Sequence, residues 1–153
     1  MNIQAPLELL NAADHNTERI RAVAIVDDDP HISQALGQWV ALQGLRALYF
    51  SCAECLLRAL APSAAQLTDS SSSRDSTQCN VIAAVLDLNL PGMSGMALAH
   101  KLRALDADLP LVIVTALREH ERRRYGQLPP GVRCLQTPFD LEALESALSP
   151  VRL

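Results

Sequence analysis

The sequence predicts an α/β fold: a doubly wound parallel sheet of five strands with five helices. Three observations predict it. Apolar runs rich in Val, Ile and Leu alternate along the chain with segments of helical period. Those runs are too uniformly hydrophobic to leave one face in water, which marks strands covered on both sides. Each run passes through turn residues into a helix, the pattern of repeated βα units. With 153 residues, 49% of them hydrophobic, the chain is long enough to bury the core of one domain.

The elements follow in order. A polar lead-in opens the chain, with a short helix expected around "PLELLNAA". "RAVAIV" (Arg21 to Val26) reads as the first strand. After "DDDP", Ile32, Leu36, Trp39, Val40 and Gln43 keep helical spacing, and Gly44 stops the helix. Trp39 is expected in the core. "LRALYF" is the second strand, and Ser51 is the expected cap of the helix "CAECLLRAL". The stretch "APSAAQLTDSSSSRDSTQCN", at about 61–80, has no period and reads as a flexible inserted loop. "VIAAVL" is the third strand, and Leu98, Leu102 and Leu105 mark the inner face of the helix after "DLNLPGMSG". "LPLVIVTA" is the fourth strand, "LREHERRRYGQ" a strongly charged helix, and "VRCLQTP" the fifth strand. "DLEALESAL" is the last helix, with Leu141, Leu144 and Leu148 expected inward.

Charge and termini exclude several classes. The net charge of −4, from 13 basic and 17 acidic residues, argues against a generic nucleic-acid binder, whose phosphate contacts need a basic surface. Lys101 is the one lysine. The N-terminus has neither a basic start nor a long apolar run, so the reading includes no secretion or membrane insertion and a cytoplasmic location by default. Four cysteines (Cys52, Cys55, Cys79 and Cys134) do not make a disulfide scaffold in a chain of this size.

In doubly wound folds, ligands bind beyond the carboxyl ends of the strands, where the strand order reverses. Strand one ends in Asp27, Asp28 and Asp29, strand three in Asp87 and strand four in Thr115. Carboxylates from two adjacent strands make a hard-oxygen site suited to Mg²⁺. A strand-end carboxylate can also act as a nucleophile toward a phosphoryl group, and a threonine hydroxyl can hydrogen-bond a phosphoryl oxygen. A divalent cation would offset the mutual repulsion of the acids.

The ordered set "VDDDP", "LDLNLPGMSG", "VIVTA" and "TPF" closely resembles the receiver domain of two-component response regulators, over about residues 21 to 150. The resemblance implies a flavodoxin-like strand order 2-1-3-4-5, with residues 1–20 as an N-terminal extension and 21–153 as the receiver. It implies Asp87 as phosphoacceptor, and Mg²⁺ held by Asp27, Asp28, Asp87 and the backbone carbonyl of Asn89. Thr115 and Ala116 would be the phosphoryl-contact and switch residues. Asp29 falls outside the set and reads as a turn or cap residue, while Pro91 and Gly92 to Gly95 match the loop after the acceptor. The implied partners are a sensor histidine kinase or phosphotransfer protein and a downstream protein target. A homodimer through the fourth and fifth helices belongs to the same expectation, and contact with nucleic acid or membrane does not. Because the chain ends at "SPVRL", action by protein contact without an output domain is expected. The protein is then a phosphoryl-accepting signalling domain and not an enzyme.

Two positions depart from the family. Thr137 stands where receivers carry a lysine before the proline of the fifth strand, and Cys134 stands where an aromatic is common. Loss of a close charged contact in a poorly solvated site should cost roughly two to three orders of magnitude in the step that used it. The expectation is that Mg²⁺ binds and the conformational response is blunted. Arg118, just past Thr115, is the cation expected to reach the phosphoryl group; Arg133 should lie too far down its strand. The alternative function is a phosphorylation-independent pseudo-receiver, an interaction module.

Three rival readings are weaker. Turn chemistry alone would need one aspartate after strand one, not three. A haloacid-dehalogenase-type phosphatase wants an acid two residues after the nucleophile, where this chain has Asn89. "CAEC" opening a helix looks like a thioredoxin-type redox site, although cysteines at helical spacing in an Ala/Leu-rich helix more often act as buried small hydrophobes. A zinc site would have to recruit Cys79 and Cys134 from distant elements, and the four histidines match no ligand spacing. "REHERRRY" reads as a solvated helix face held by i,i+4 pairs, with a docking surface as the alternative.

Overall fold

The structure is a computed structural model that describes residues 20–60 and 79–148. The lead-in helix and most of the Ser-rich segment lie outside the described residues. Five strands form one sheet in the order β2-β1-β3-β4-β5, every neighbouring pair being parallel. The chain runs β1 (Ile20–Val26), α1 (Pro30–Leu42), β2 (Arg46–Phe50), α2 (Ala53–Leu60) and β3 (Cys79–Asp87). It continues through α3 (Gly95–Leu105), β4 (Leu111–Thr115), α4 (Glu119–Arg122), a 3₁₀ turn (Arg123–Tyr125), β5 (Arg133–Gln136) and α5 (Leu141–Ala147). Fold class, strand order and the five helices agree with the sequence reading.

Alternation along each strand divides the core in two. Ala24, Val26, Leu86, Leu111 and Ile113 face one side and pack with Leu56 of α2 and with Leu98 and Leu102 of α3. Val23, Ile25, Val85, Val112 and Val114 face the other, against Leu36, Trp39 and Val40 of α1, Leu144 of α5 and Leu148 at its C-terminal cap. Successive side chains of a strand point to opposite faces, so a continuous apolar run supplies both layers. Trp39 is core, as its spacing predicts.

Several expectations need correction. Ile32, Leu105 and Leu141 keep the helical period but are exposed at 39%, 70% and 54%. Ile32 lies in the first turn of α1, and Leu105 and Leu141 are the last and first residues of their helices. Cys79 and Asn80 belong to β3 and not to the inserted loop. Side-chain capping of α2 comes from Cys52 and not from Ser51, since the Cys55 N–H donates to Cys52 Sγ at 3.2 Å. The charged segment gives only the single turn of α4 and the 3₁₀ turn before Gly126, whose φ is +96°. Nothing in α4 is buried, and a short helix without a packed face is marginal whatever its propensity. The ion pair from Arg123 of the 3₁₀ turn to Glu119 at 3.8 Å is on the surface, where such pairs contribute little.

Candidate phosphoacceptor and metal site

Topology makes the crevice. α1 leaves β1 toward one face and α3 leaves the adjacent β3 toward the other, so nothing covers the carboxyl ends between them. Val26 pairs with Leu86, which sets Asp27 and Asp87 side by side one residue further on. Ligating oxygens of Asp27, Asp28 and Asp87 lie within 4.8 Å of one another. These three acids, with Asn89, Thr115 and Thr137, line a single crevice of about 260 Å³, to which Asp29, Ala116 and Leu117 also contribute. The sequence-predicted site residues are therefore brought together.

Local hydrogen bonds fix each of them. Asp27, 5% exposed, accepts the Asp29 N–H at 2.8 Å. Asp29 caps α1 by accepting the His31 N–H at 2.9 Å, the cap role its sequence position predicts. Asp87 accepts the Asn89 N–H at 3.2 Å. Thr115 is buried and its Oγ1 accepts the Leu117 N–H at 3.0 Å, leaving the hydroxyl proton to donate to an oxygen in the crevice. Gly95 closes the acceptor loop through its N–H to the Leu88 carbonyl at 3.0 Å. A Cβ at Gly95 would run into the Asp87 carbonyl oxygen, so this position admits only glycine without a shift of the loop.

The electrostatics carry the mark of unbalanced negative charge. Burial first, and then the Asp27 carboxylate beside it, push Asp87 up from an ordinary 3.8 to about 6. Burial also raises Asp27, against the lowering effect of the Asp29 N–H. A hard divalent cation coordinated by oxygens at about 2.1 Å fits such a cluster, and the three carboxylates together with this charge imbalance are the donor set it needs.

Among the described residues that line the crevice, none is cationic. Thr137 occupies the rim, its N–H donating to the Thr115 carbonyl at 2.8 Å. Contrary to the expectation from sequence, Arg118 is exposed and does not line the crevice, its N–H donating to Glu121 Oε2 at 2.7 Å. Arg133 pairs with Val112, well down β5 from the site. Cys134 is a free, half-buried thiol packed against the core.

Two features have no signal in the sequence. A larger groove of about 540 Å³ adjoins the crevice, shares Asp27 and Asp28 with it, and is walled by Ser33, Tyr49 and Phe50. Glu54 of α2 accepts the Met93 N–H at 3.3 Å, tying the acceptor loop to a helix 39 residues away. The cysteines expected to be buried small hydrophobes are instead both half-buried and joined as a Cys52–Cys55 disulfide.

A parallel 2-1-3-4-5 sheet with an acidic crevice at its switch point defines a class of proteins, the CheY-like receivers of two-component signalling. The response regulator receiver domain model matches residues 23–149, and the chain belongs to that family. Over 132 residues it is 32% identical to the C4-dicarboxylate transport transcriptional regulatory protein DctD of Pseudomonas aeruginosa, covering 80% of this chain and 23% of DctD. The chain thus spans about a quarter of that relative's length. A CheY-like receiver domain protein from Methanospirillum hungatei superposes with a TM-score of 0.63 at 19% identity, over 86% of this chain and 95% of that one. The response regulator TrrA of Thermotoga maritima, solved in complex with Mg²⁺ and BeF, gives 0.59 at 18% identity over 86% and 98%. Among the described residues, no helix is long and apolar enough to cross a membrane.

Proposed function

We propose that this receiver accepts a phosphoryl group on Asp87 from a sensor histidine kinase or phosphotransfer protein and passes on its state by protein contact. The supporting observation is the convergence of Asp27, Asp28 and Asp87 within 4.8 Å at the open end of the sheet. In this reading an Asp87 oxygen attacks phosphorus, the donor's phosphorus–nitrogen bond breaks, and the leaving imidazole takes up a proton. Mg²⁺ fits Asp27, Asp28, Asp87 and the Asn89 carbonyl, and when bound it supplies the positive charge that lets phosphoryl oxygens approach three carboxylates. Thr115 donates its hydroxyl to a phosphoryl oxygen, and Ala116 moves with it. At neutral pH most Asp87 is ionised, as a nucleophile must be, because even its raised value of about 6 lies below 7.

Incubating the protein with Mg²⁺ and acetyl phosphate should add roughly 80 Da, one phosphoryl group, in wild type and not in Asp87→Ala. An unmodified wild type, or an equal adduct in the variant, overturns the reading. The absence of a cation among the described lining residues favours a second reading, a pseudo-receiver that keeps fold and acids but not the switch. It expects buried Trp39 to give unchanged fluorescence when beryllofluoride and Mg²⁺ are added, and Thr137→Lys to restore a response.

A further inference from the structure

We propose that Cys52 and Cys55 form a reversible thiol–disulfide site for small thiols and disulfides, and that its state sets the hold of Glu54 on the loop after Asp87. The pair opens α2, three residues apart, with Cα atoms 5.4 Å apart, inside the range a bridge can span. Both side chains are half-buried, so a small thiol can reach the sulfurs from solvent. The Cys55 N–H points at Cys52 Sγ at 3.2 Å, and a helix N-terminus stabilises negative charge on the sulfur it faces. A bridge across so few residues withdraws little entropy from the unfolded chain compared with a long-range one, so strengthening the fold does not account for it.

The exchange balances without further reactants. A thiolate attacks one sulfur, a mixed disulfide forms as the Cys52–Cys55 bond breaks, and a second thiol releases it. Two thiols become one disulfide, and their two protons end on Cys52 and Cys55. Oxidised glutathione drives the reverse.

What the bridge constrains lies between the two sulfurs. Glu54 sits inside the closed ring and takes the Met93 N–H at 3.3 Å. Gly92 is shaped to admit it, since a Cβ there, at φ +78°, would stand 3.2 Å from Glu54 Oε1. Opening the bridge frees the first turn of α2, and with it the carboxylate that holds the loop carrying Pro91 to Gly95. This coupling is independent of whether Asp87 is phosphorylated.

Peptide-resolved alkylation of the full chain in glutathione mixtures should find Cys52 and Cys55 blocked together in oxidising mixtures and labelled together in reducing ones. Cys79 and Cys134, free and half-buried in the structure, can be blocked only as glutathione adducts, whereas the bridged pair should be blocked without added mass. A pair that stays labelled in oxidised glutathione overturns the proposal. Hydrogen exchange at the Met93 amide should be roughly fivefold faster in the reduced protein, the worth of one modest hydrogen bond. Cys52→Ser/Cys55→Ser should exchange at the reduced rate under all conditions, and Glu54→Ala should exchange fast in both redox states. Equal exchange in oxidised and reduced wild type, or protection that persists in Glu54→Ala, overturns it equally.

Discussion

At Asp87 two requirements meet, since the carboxylate must be buried enough to sit beside Asp27 and yet ionised enough to react. Its pKa of about 6 records what that costs, and the sign of the consequence is fixed. A carboxyl raised above its unfolded value of 3.8 favours the fold fully below about 3.8, and the benefit is lost as pH rises through about 6. The difference is on the order of 2 kcal/mol once solvent screening of a half-buried group is allowed for. In metal-free protein, urea unfolding should find Asp87→Asn about as stable as wild type near pH 4 and more stable by that amount near pH 7.5. A gap that does not change with pH would contradict this account. Thr137 belongs to the same balance. A lysine there would lower the repulsion and compete with a metal, so the position links metal affinity to switching.

Among the elements, the turn joining β3 to α3 carries the most constraint. It holds Asp87 and Asn89, it is closed by the Gly95 N–H, and Glu54 grips it from α2. Because the obstacle facing a Gly95 Cβ is backbone, the Asp87 carbonyl itself, the strain cannot be relieved by a rotamer change. Gly95→Ala should destabilise by about 1–3 kcal/mol, the usual range for overpacking a tight site, and should weaken Mg²⁺ binding because Asp87 moves with its carbonyl. Calorimetric titration and urea unfolding on the same sample check both effects. Full Mg²⁺ affinity in a destabilised variant would separate the loop from the site. The short α4 contrasts with this turn. It is charged and has no fully buried residue.

For the whole molecule, stability resides in the two apolar layers, and helical period alone does not say which residues belong to them. Leu102 and Leu105 both follow the period of α3, yet one is 1% exposed and the other 70%. Leu102→Ala should cost about 2–5 kcal/mol through lost burial and the cavity left behind, and Leu105→Ala should stay within about 0.5 kcal/mol of wild type. Denaturant midpoints of the two variants check the contrast. Similar losses in both would place the edge of the core further out than the structure has it.

The sequence alone determined the class of fold and the membership of the acidic crevice. Uninterrupted apolar runs admit only strands covered on both faces, and the residues that end those runs must meet where the strands end, which is why Asp27, Asp28, Asp87 and Thr115 were legible. Tertiary structure decided what depends on neighbours across space. It decided that Ile32, Leu105 and Leu141 stay exposed, that the arginine-rich segment forms only short turns, and that no described cation lines the crevice beside Thr137. It also decided that Glu54 reaches the acceptor loop and that Cys52 caps α2 while bridging Cys55. Periodicity describes one element at a time, whereas edges, clamps and grooves arise only when elements are packed together.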